Sequence, residues 1–199
     1  MSVDTGHAAF ARGRRSGWQE RCEFCGTPVA ARHGHVVDTG RRGLLCACRA
    51  CFLLCPAGET RYRAVPERYL WDPRRPIAHL DWCGLGIPER FAFFVRRGTG
   101  VTAFQPGPAG ATEATLPPGL WAELAAAHPL LASAEPDVEA IVFRGRGWGT
   151  DCFLVPVDVC YRLAGVVRRY WTGCDGGPEV HERVGELFAE VEQRALPLR

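Results

Sequence analysis

The distribution of apolar positions predicts a sheet-forming region in the second half of the chain. From about residue 85 onward, short apolar segments alternate with turns rich in glycine and proline, as expected for antiparallel strands joined by hairpins. The segment FAFFVRR, for example, is followed by Gly98 and a second apolar segment. The strands predicted from this pattern cover residues 91–97, 100–104, 111–116, 139–144 and 151–157.

Helical spacing of apolar residues appears near the C-terminus. Asp158 is predicted to cap a first helix, whose apolar face comprises Cys160, Leu163, Ala164, Val167 and Trp171. A second helix is predicted after the segment GGP, with an apolar face of Val180, Val184, Leu187, Phe188 and Val191. A shorter helix is predicted at residues 120–128. Together these patterns predict an α+β domain at residues 85–199, formed by an antiparallel sheet with C-terminal helices.

The distribution of cysteines separates an N-terminal module from this domain. Six of the ten cysteines lie between positions 22 and 55, and four of them fall within the segment CACRACFLLC. We predict a zinc-ribbon-like module at residues 20–58, preceded by a disordered basic tail at residues 1–19. Residues 59–84 are predicted to form an extended connector, because their proline and arginine content disfavours helices and central strands.

Composition narrows the classes of function. The chain has 199 residues, a mass of 21.9 kDa and a mean hydropathy of −0.09, with no apolar run long enough to span a bilayer. Arginines near the N-terminus are not followed by an apolar segment, so neither a secretory signal nor an anchor is predicted and the expected location is cytoplasmic. The net charge of +2 gives no strong field for nucleic acid, which is therefore not an expected partner.

Ten cysteines in a reducing compartment indicate metal ligation rather than a disulfide framework. The motifs CEFCG and CRAC are two CxxC knuckles separated by 22 residues, and Gly26 allows the backbone twist of the first. Residues 35–38 and 43–45 predict a hairpin between the knuckles, which is the layout of a zinc ribbon. Four thiolates complete the closed tetrahedral sphere of a structural zinc site. We refer to the four predicted ligands as the four-cysteine group: Cys22, Cys25, Cys48 and Cys51.

Neighbouring side chains leave alternatives to this ligand set open. Cys46 lies two residues before Cys48 and would face the same side of a strand, so it could replace Cys48 or lie beside the ion. His33 and His35 are interpreted as polar positions at the hairpin edge, with ligation as the alternative. Cys55 fits a helical turn and is interpreted as a small, buried, inert thiol. A rubredoxin-like iron electron carrier is the alternative to a zinc protein, since both metals accept four thiolates.

The other candidates for chemistry are isolated in the sequence. Cys174 precedes a predicted helix, where the positive helix end favours a thiolate, and His181 would be the base nearest to it in sequence. Cys152 and Cys160 are interpreted as core residues. The sequence therefore favours a non-enzymatic protein, with a thiol-dependent enzyme using Cys174 as the alternative.

Several motifs resemble an actinobacterial family of uncharacterised proteins that are often encoded beside genes of uptake nickel-iron hydrogenases. These motifs are CEFCG, HGHVVD, LLCACRACFLL, VPVDVCYRLAGVVRRYW and GGPEV, and the resemblance extends from about residue 20 to the C-terminus. The resemblance implies an accessory role in hydrogenase maturation or function. It also implies a protein partner, such as a hydrogenase subunit or a maturation factor.

The resemblance also bears on individual residues. It carries over five recurrent thiols: Cys22, Cys25, Cys46, Cys48 and Cys51. Cys55 occupies a position that is usually apolar in the family, which agrees with leaving it out of the ligand set. Cys174 and His181 depart from the family pattern, and this departure argues against catalytic roles for them.

Overall fold

The computed structural model describes residues 19–55, 60–74, 91–98, 100–114, 116, 119–146, 149–174 and 176–199. The chain divides into two compact units, Met1–Pro66 and Glu67–Arg199, which we name the first unit and the second unit. The tail predicted at residues 1–19 lies, apart from its last residue, outside the described residues.

The first unit is built on a three-stranded antiparallel sheet. Its strands are β1 (Gly34–Asp38), β2 (Gly43–Ala47) and β3 (Tyr62–Ala64), in the order β2-β1-β3. β1 and β2 form the hairpin predicted between the two knuckles, with His35 opposite Cys46. Helix α1 (Arg49–Leu53) begins two residues after the end of β2.

A buried carboxylate holds the turn between β1 and β2. Asp38 Oδ1 accepts hydrogen bonds from the amides of Gly40 and Arg41, at 3.1 and 3.2 Å. The Arg61 guanidinium donates to both carboxylate oxygens, at 3.1 and 3.0 Å. Although burial opposes ionisation, the hydrogen bonds from Arg61 lower the pKa of Asp38. The carboxylate thereby ties the turn to the segment that leads into β3.

The described part of the predicted connector, residues 60–74, is divided between the two units. β3 pairs with β1 at an edge of the first sheet, whereas β4 (Leu70–Trp71) belongs to the sheet of the second unit. Proline and arginine disfavour long central strands but permit an edge strand of three residues and a strand of two. Residues 75–84 lie outside the described residues.

The second unit contains a seven-stranded sheet in the order β10-β4-β9-β8-β5-β6-β7. Besides β4, its strands are β5 (Phe91–Arg97), β6 (Gly100–Gly107), β7 (Gly110–Ala114), β8 (Glu139–Arg146), β9 (Gly149–Pro156) and β10 (Leu196–Pro197). All neighbouring pairs are antiparallel except β10 with β4, which is parallel. The five predicted strands are present, and their ends differ from the prediction by at most three residues. β6 is longer because its pairing with β7 continues to Gly107.

The helices of the second unit, among the described residues, are α2 (Leu120–Ala127), α3 (Pro129–Ala132), α4 (Val157–Tyr170) and α5 (Gly177–Arg194). The predicted apolar faces of α4 and α5 are buried, apart from the partly exposed Trp171. The predicted cap of α4 is wrong, because Pro156 is the N-cap and Asp158 lies within the first turn. An acidic side chain there still complements the positive helix end. In the described part of the chain, none of the helices has the length and hydrophobicity of a membrane span.

Both faces of the central strands are buried. On one face, Phe94 belongs to a cluster with Leu124 of α2 and Leu131 of α3. On the other face, the ring of Phe153 lies 6.4 Å from that of Phe188 in α5, measured between centroids. A strand covered on both faces reads as a continuous apolar run rather than an alternating one, which accounts for the sequence of β5.

A buried ion pair connects the start of the second unit to β8. Glu139 is fully buried and accepts hydrogen bonds from the Arg68 guanidinium, at 2.7 and 2.5 Å, and from the Glu135 amide at 2.8 Å. Arg68 also donates to the Ser133 carbonyl at 2.8 Å. Because both carboxylate oxygens have partners, the charge of Glu139 is tolerated in the core. The sequence pattern did not predict this pair.

Candidate metal centre

The first knuckle is a tight turn closed by backbone hydrogen bonds. The Gly26 amide donates to the Cys22 carbonyl, and the Cys22 amide donates to the Thr27 carbonyl, both at 2.8 Å. Gly26 has a φ of +74°, a left-handed conformation that glycine adopts readily, as predicted. The Glu23 amide donates to the Cys46 carbonyl at 2.9 Å, and the Glu23 carboxylate accepts from the Cys46 amide at 3.2 Å. The knuckle is thereby attached to β2.

The start of α1 positions the second pair of cysteines. Cys48 is the N-cap residue, and its carbonyl accepts a hydrogen bond from the Phe52 amide at 2.9 Å. The Phe52 ring lies against Gly34 of β1, so closely that a Cβ atom at Gly34 would be 2.5 Å from a ring carbon. A larger residue at Gly34 would therefore displace α1, and Cys51 with it.

The four predicted ligands converge. The Sγ atoms of the four-cysteine group all lie within 4.8 Å of one another, and those of Cys25 and Cys48 are 3.7 Å apart. A tetrahedral ion with metal–sulfur bonds of about 2.3 Å has sulfur–sulfur distances of about 3.8 Å. The two knuckles thus bring the sulfur atoms to a spacing that suits one metal ion.

The thiols of this group influence one another electrostatically. Burial opposes ionisation of Cys22, but backbone hydrogen bonds from Cys48 and Cys25 outweigh it and lower the pKa of Cys22 to about 6. Hydrogen bonds with Thr27 lower the pKa of Cys25. The pKa of Cys51 is raised to about 12, first by its hydrogen bond with Cys48 and then by burial. Ionisation of one sulfur opposes ionisation of another, and a divalent cation would remove that conflict.

The chemistry of the donor set limits which ions fit. Four thiolates suit zinc or iron, whereas magnesium and calcium prefer oxygen ligands. Four protein ligands also leave no open coordination position for a substrate. The geometry therefore suits a structural ion or an electron-transfer centre better than a catalytic metal.

The three neighbouring donors form a separate group. One ligand atom each from His33, His35 and Cys46 lies within 4.8 Å of the other two. The structure places Cys48, rather than Cys46, with the other three thiols of the four-cysteine group. We refer to the three neighbouring residues as the His-His-Cys group.

Cys55 lies outside both groups. Its thiol donates to the Cys51 carbonyl at 3.5 Å, a contact that follows from its position one helical turn further along. Cys55 is half-buried, and burial, followed by the charge of Cys22, raises the pKa of its thiol. The thiol therefore stays protonated at neutral pH, in agreement with its interpretation as an inert residue.

The described cysteines of the second unit do not form a comparable group. Cys174 is exposed, and Nδ1 of His181 lies 2.7 Å from the Gly177 carbonyl within α5. Burial raises the pKa of Cys160 and of Cys152 far above the usual range, which keeps both thiols protonated and unreactive. Cys83 lies outside the described residues.

Three exposed apolar side chains near the four-cysteine group were not anticipated from the sequence. Phe24, Leu53 and Leu54 are 41%, 62% and 81% exposed. The ring of Phe24 also makes an edge contact with that of Tyr62, with centroids 5.5 Å apart. A signal was present in the motifs CEFC and CFLLC, because a segment that points its cysteines inward must turn some intervening residues outward.

The fold and the site define a protein with a cysteine-rich candidate metal-binding unit and a mixed α/β unit with a largely antiparallel sheet. The chain belongs to a family of unknown function, DUF5947, whose model matches residues 21–195. The match includes the four-cysteine group, the His-His-Cys group and both C-terminal helices. No curated protein and no solved structure matches the chain.

Proposed function

We propose that the first unit is a zinc-ribbon-like module and that the protein is a non-enzymatic accessory protein which binds another protein. The observation that carries the proposal is the convergence of four Sγ atoms within 4.8 Å of one another. Paired knuckles around a hairpin are the layout of a structural zinc site. The zinc ion would hold together a unit whose helix α1 buries none of its residues.

Exposed apolar side chains support a role in protein binding. Leu53 and Leu54 follow the second knuckle, and Phe24 lies inside the first, so all three are held on segments that the ion would fix. Residues 19–66 contain seven arginines and four acidic residues, which gives this part of the chain a positive charge. The matching partner is a protein with an apolar patch bordered by carboxylates.

A hydrogenase subunit or a hydrogenase maturation factor is the proposed partner. The support for this step is the resemblance of the cysteine and C-terminal motifs to proteins encoded beside nickel-iron hydrogenase genes. Accessory factors act by binding, and a rigid, metal-held surface lowers the conformational entropy that is lost on association.

Metal analysis tests the site. We expect the purified protein to be colourless and to contain zinc, and the Cys25→Ser variant to lose the ion bound by the four-cysteine group. Cys55→Ser is the matched control, because it removes a neighbouring thiol outside the group, and it should keep its metal. Visible absorption with stoichiometric iron would instead establish a rubredoxin-like centre and refute the zinc assignment.

Affinity capture from the native host tests the partner. We expect the wild-type chain to retain a hydrogenase subunit or maturation factor, and a double variant with Leu53→Ser and Leu54→Ser to retain much less of it. The double variant must keep its zinc for the comparison to hold. Recovery of no hydrogenase-related protein by the wild-type chain would overturn the partner assignment while leaving the metal site untouched.

A further inference from the structure

A second cluster of metal-ligating side chains lies on the hairpin of the first unit. The rings of His33 and His35 have centroids 4.8 Å apart, and Cys46 on β2 is directly opposite His35 on β1. One ring nitrogen from each histidine and the Sγ atom of Cys46 lie within 4.8 Å of one another. The pairing of the two strands therefore gathers two imidazoles and one thiol at a single place.

The environment of His33 leaves one ring nitrogen without a hydrogen bond. The side chain is only 7% exposed. Its Nδ1 atom lies 2.8 Å from the Ala30 carbonyl oxygen and 3.8 Å from Oε2 of Glu20. Because a carbonyl oxygen only accepts hydrogen bonds, Nδ1 carries the proton, and in the neutral ring Nε2 carries the free lone pair. The Nε2 atom is buried and has no hydrogen-bond partner.

A buried nitrogen lone pair that accepts no hydrogen bond is unusual in a folded protein. Metal-binding histidines have this arrangement, since one ring nitrogen donates to a carbonyl or carboxylate and the other is left for the ion. The Ala30 carbonyl and the Glu20 carboxylate occupy the positions of such supporting partners.

The thiol of the group is also held in place. The backbone of Cys46 exchanges two hydrogen bonds with Glu23, at 2.9 and 3.2 Å, so the position of its Cβ atom is set by the first knuckle and by β1. The Sγ atom can then move only by rotation about one side-chain bond. Donor atoms in a tetrahedral zinc site are separated by about 3.2–3.8 Å, so modest side-chain rotations from the observed arrangement close the group around an ion.

We propose that the His-His-Cys group binds a second transition-metal ion through Nε2 of His33, a ring nitrogen of His35 and Sγ of Cys46. Two imidazoles and one thiolate suit Zn²⁺, Co²⁺ or Cu²⁺ and do not suit Mg²⁺ or Ca²⁺. Three protein ligands leave one coordination position open for water or a small ligand. This site differs in that respect from the closed site of the four-cysteine group.

Metal stoichiometry of the full chain tests the proposal. The protein is loaded with Zn²⁺, freed of unbound ion and analysed for zinc per chain. We expect two ions in the wild-type protein and one in each of the variants Cys46→Ser and His33→Ala. The matched controls Cys55→Ser and His181→Ala should keep both ions. A single ion in the wild-type protein that Cys46→Ser also keeps, or two ions in Cys46→Ser, would overturn the proposal.

A variant could lose both ions because it unfolds. Nuclear magnetic resonance of the wild-type chain avoids this problem, because it detects zinc binding at the histidine rings without a substitution. Binding of the more weakly held Zn²⁺ should shift the ring signals of His33 and His35 and leave those of His128 and His181 in place. Unchanged signals of His33 and His35 would refute the second site. Failure of the four-cysteine proposal is distinguishable, because the wild-type chain would then hold one ion, which Cys25→Ser would keep and Cys46→Ser would lose.

Discussion

The two units are stabilised by different means. Among the described residues, the buried apolar positions of the first unit are few and small: Cys22, Val29, Val36, Val37, Ala47 and Val65. The second unit buries large side chains on both faces of its sheet, among them Phe94, Phe143 and Phe188. A unit with so little apolar burial needs another source of folding free energy, and a metal ion bound by the four-cysteine group would supply one.

The comparison also explains where reactive groups lie. In the second unit, burial raises the pKa of thiols such as Cys160, which therefore stay protonated. In the first unit, backbone hydrogen bonds outweigh burial and lower the pKa of Cys22 to about 6. We therefore expect metal binding by thiolates in the first unit, and we expect the buried thiols of the second unit to serve only as packed core residues.

Loss of the metal ion should destabilise the first unit far more than the second. Replacing Cys22, the most buried of the four thiols, with serine should unfold the first unit, because zinc binding supplies about 10–16 kcal/mol in small zinc-dependent folds. Hydrogen exchange should show loss of protection in β1 and β2, while protection in β5 and β8 persists. Full protection of the β1–β2 hairpin in metal-free Cys22→Ser would contradict this account.

The reverse experiment targets the second unit. Glu139→Ala removes the buried carboxylate that accepts hydrogen bonds from the Arg68 guanidinium and should destabilise this unit by about 2–3 kcal/mol. Chemical denaturation monitored in the second unit measures the effect, and zinc content should not change. Glu113→Ala is the control, since Glu113 is an exposed strand residue whose ion-pair distance to Arg97 is 3.8 Å, and it should change stability by less than about 1 kcal/mol.

A milder perturbation of the same core uses its buried thiol. Cys160→Ser places a hydroxyl among apolar neighbours and should lower the stability of the second unit by about 1–3 kcal/mol. The same substitution at the exposed Cys174 should have an effect below about 0.5 kcal/mol. Equal thermal shifts for the two variants would mean that Cys160 is not packed as described.

Strands, helices and the first knuckle could be predicted from sequence because their signals are local, and the four-cysteine group could be predicted because two CxxC motifs recur at the spacing of a zinc ribbon. The knuckle spacing and Gly26 fixed the first turn, and the apolar faces of α4 and α5 follow helical periodicity. The cap of α4 was missed because Pro156 competes with Asp158 for the helix start, and proline geometry decided the boundary.

Features that depend on contacts distant in sequence could not be predicted. The pairing of Arg68 with Glu139 joins positions far apart in the chain, and nothing in either local pattern indicates a buried charge. Similarly, β3 was assigned to a connector because its short sequence carries no strand signal until β1 provides an edge. The grouping of His35 with Cys46 also follows from strand register, which the hairpin sequence leaves undetermined.

The affinity of the four-cysteine group for zinc should depend on pH. The pKa of Cys22 is about 6, so this thiol is already ionised near neutral pH, whereas Cys51, with a pKa of about 12, must lose its proton when zinc binds. Release of at least one proton means that affinity rises by about tenfold or more per pH unit between about pH 7 and pH 9. Competition with a chelator, corrected for the chelator's own protonation, measures this slope. An affinity independent of pH would show that Cys51 is not a ligand.

The smallest effect on stability is expected at the exposed leucines of the first unit. Leu54→Ser removes a side chain that is 81% exposed, so the free energy of unfolding should change by less than about 0.5 kcal/mol. The same substitution at Leu131, which is fully buried in the second unit, should cost about 3–5 kcal/mol because it leaves a cavity and buries a hydroxyl. Thermal unfolding of the two variants checks the contrast. A side chain that is exposed for binding contributes little to the free energy of unfolding. A large loss of stability in Leu54→Ser would therefore mean that Leu54 packs within the protein and is not available to a partner.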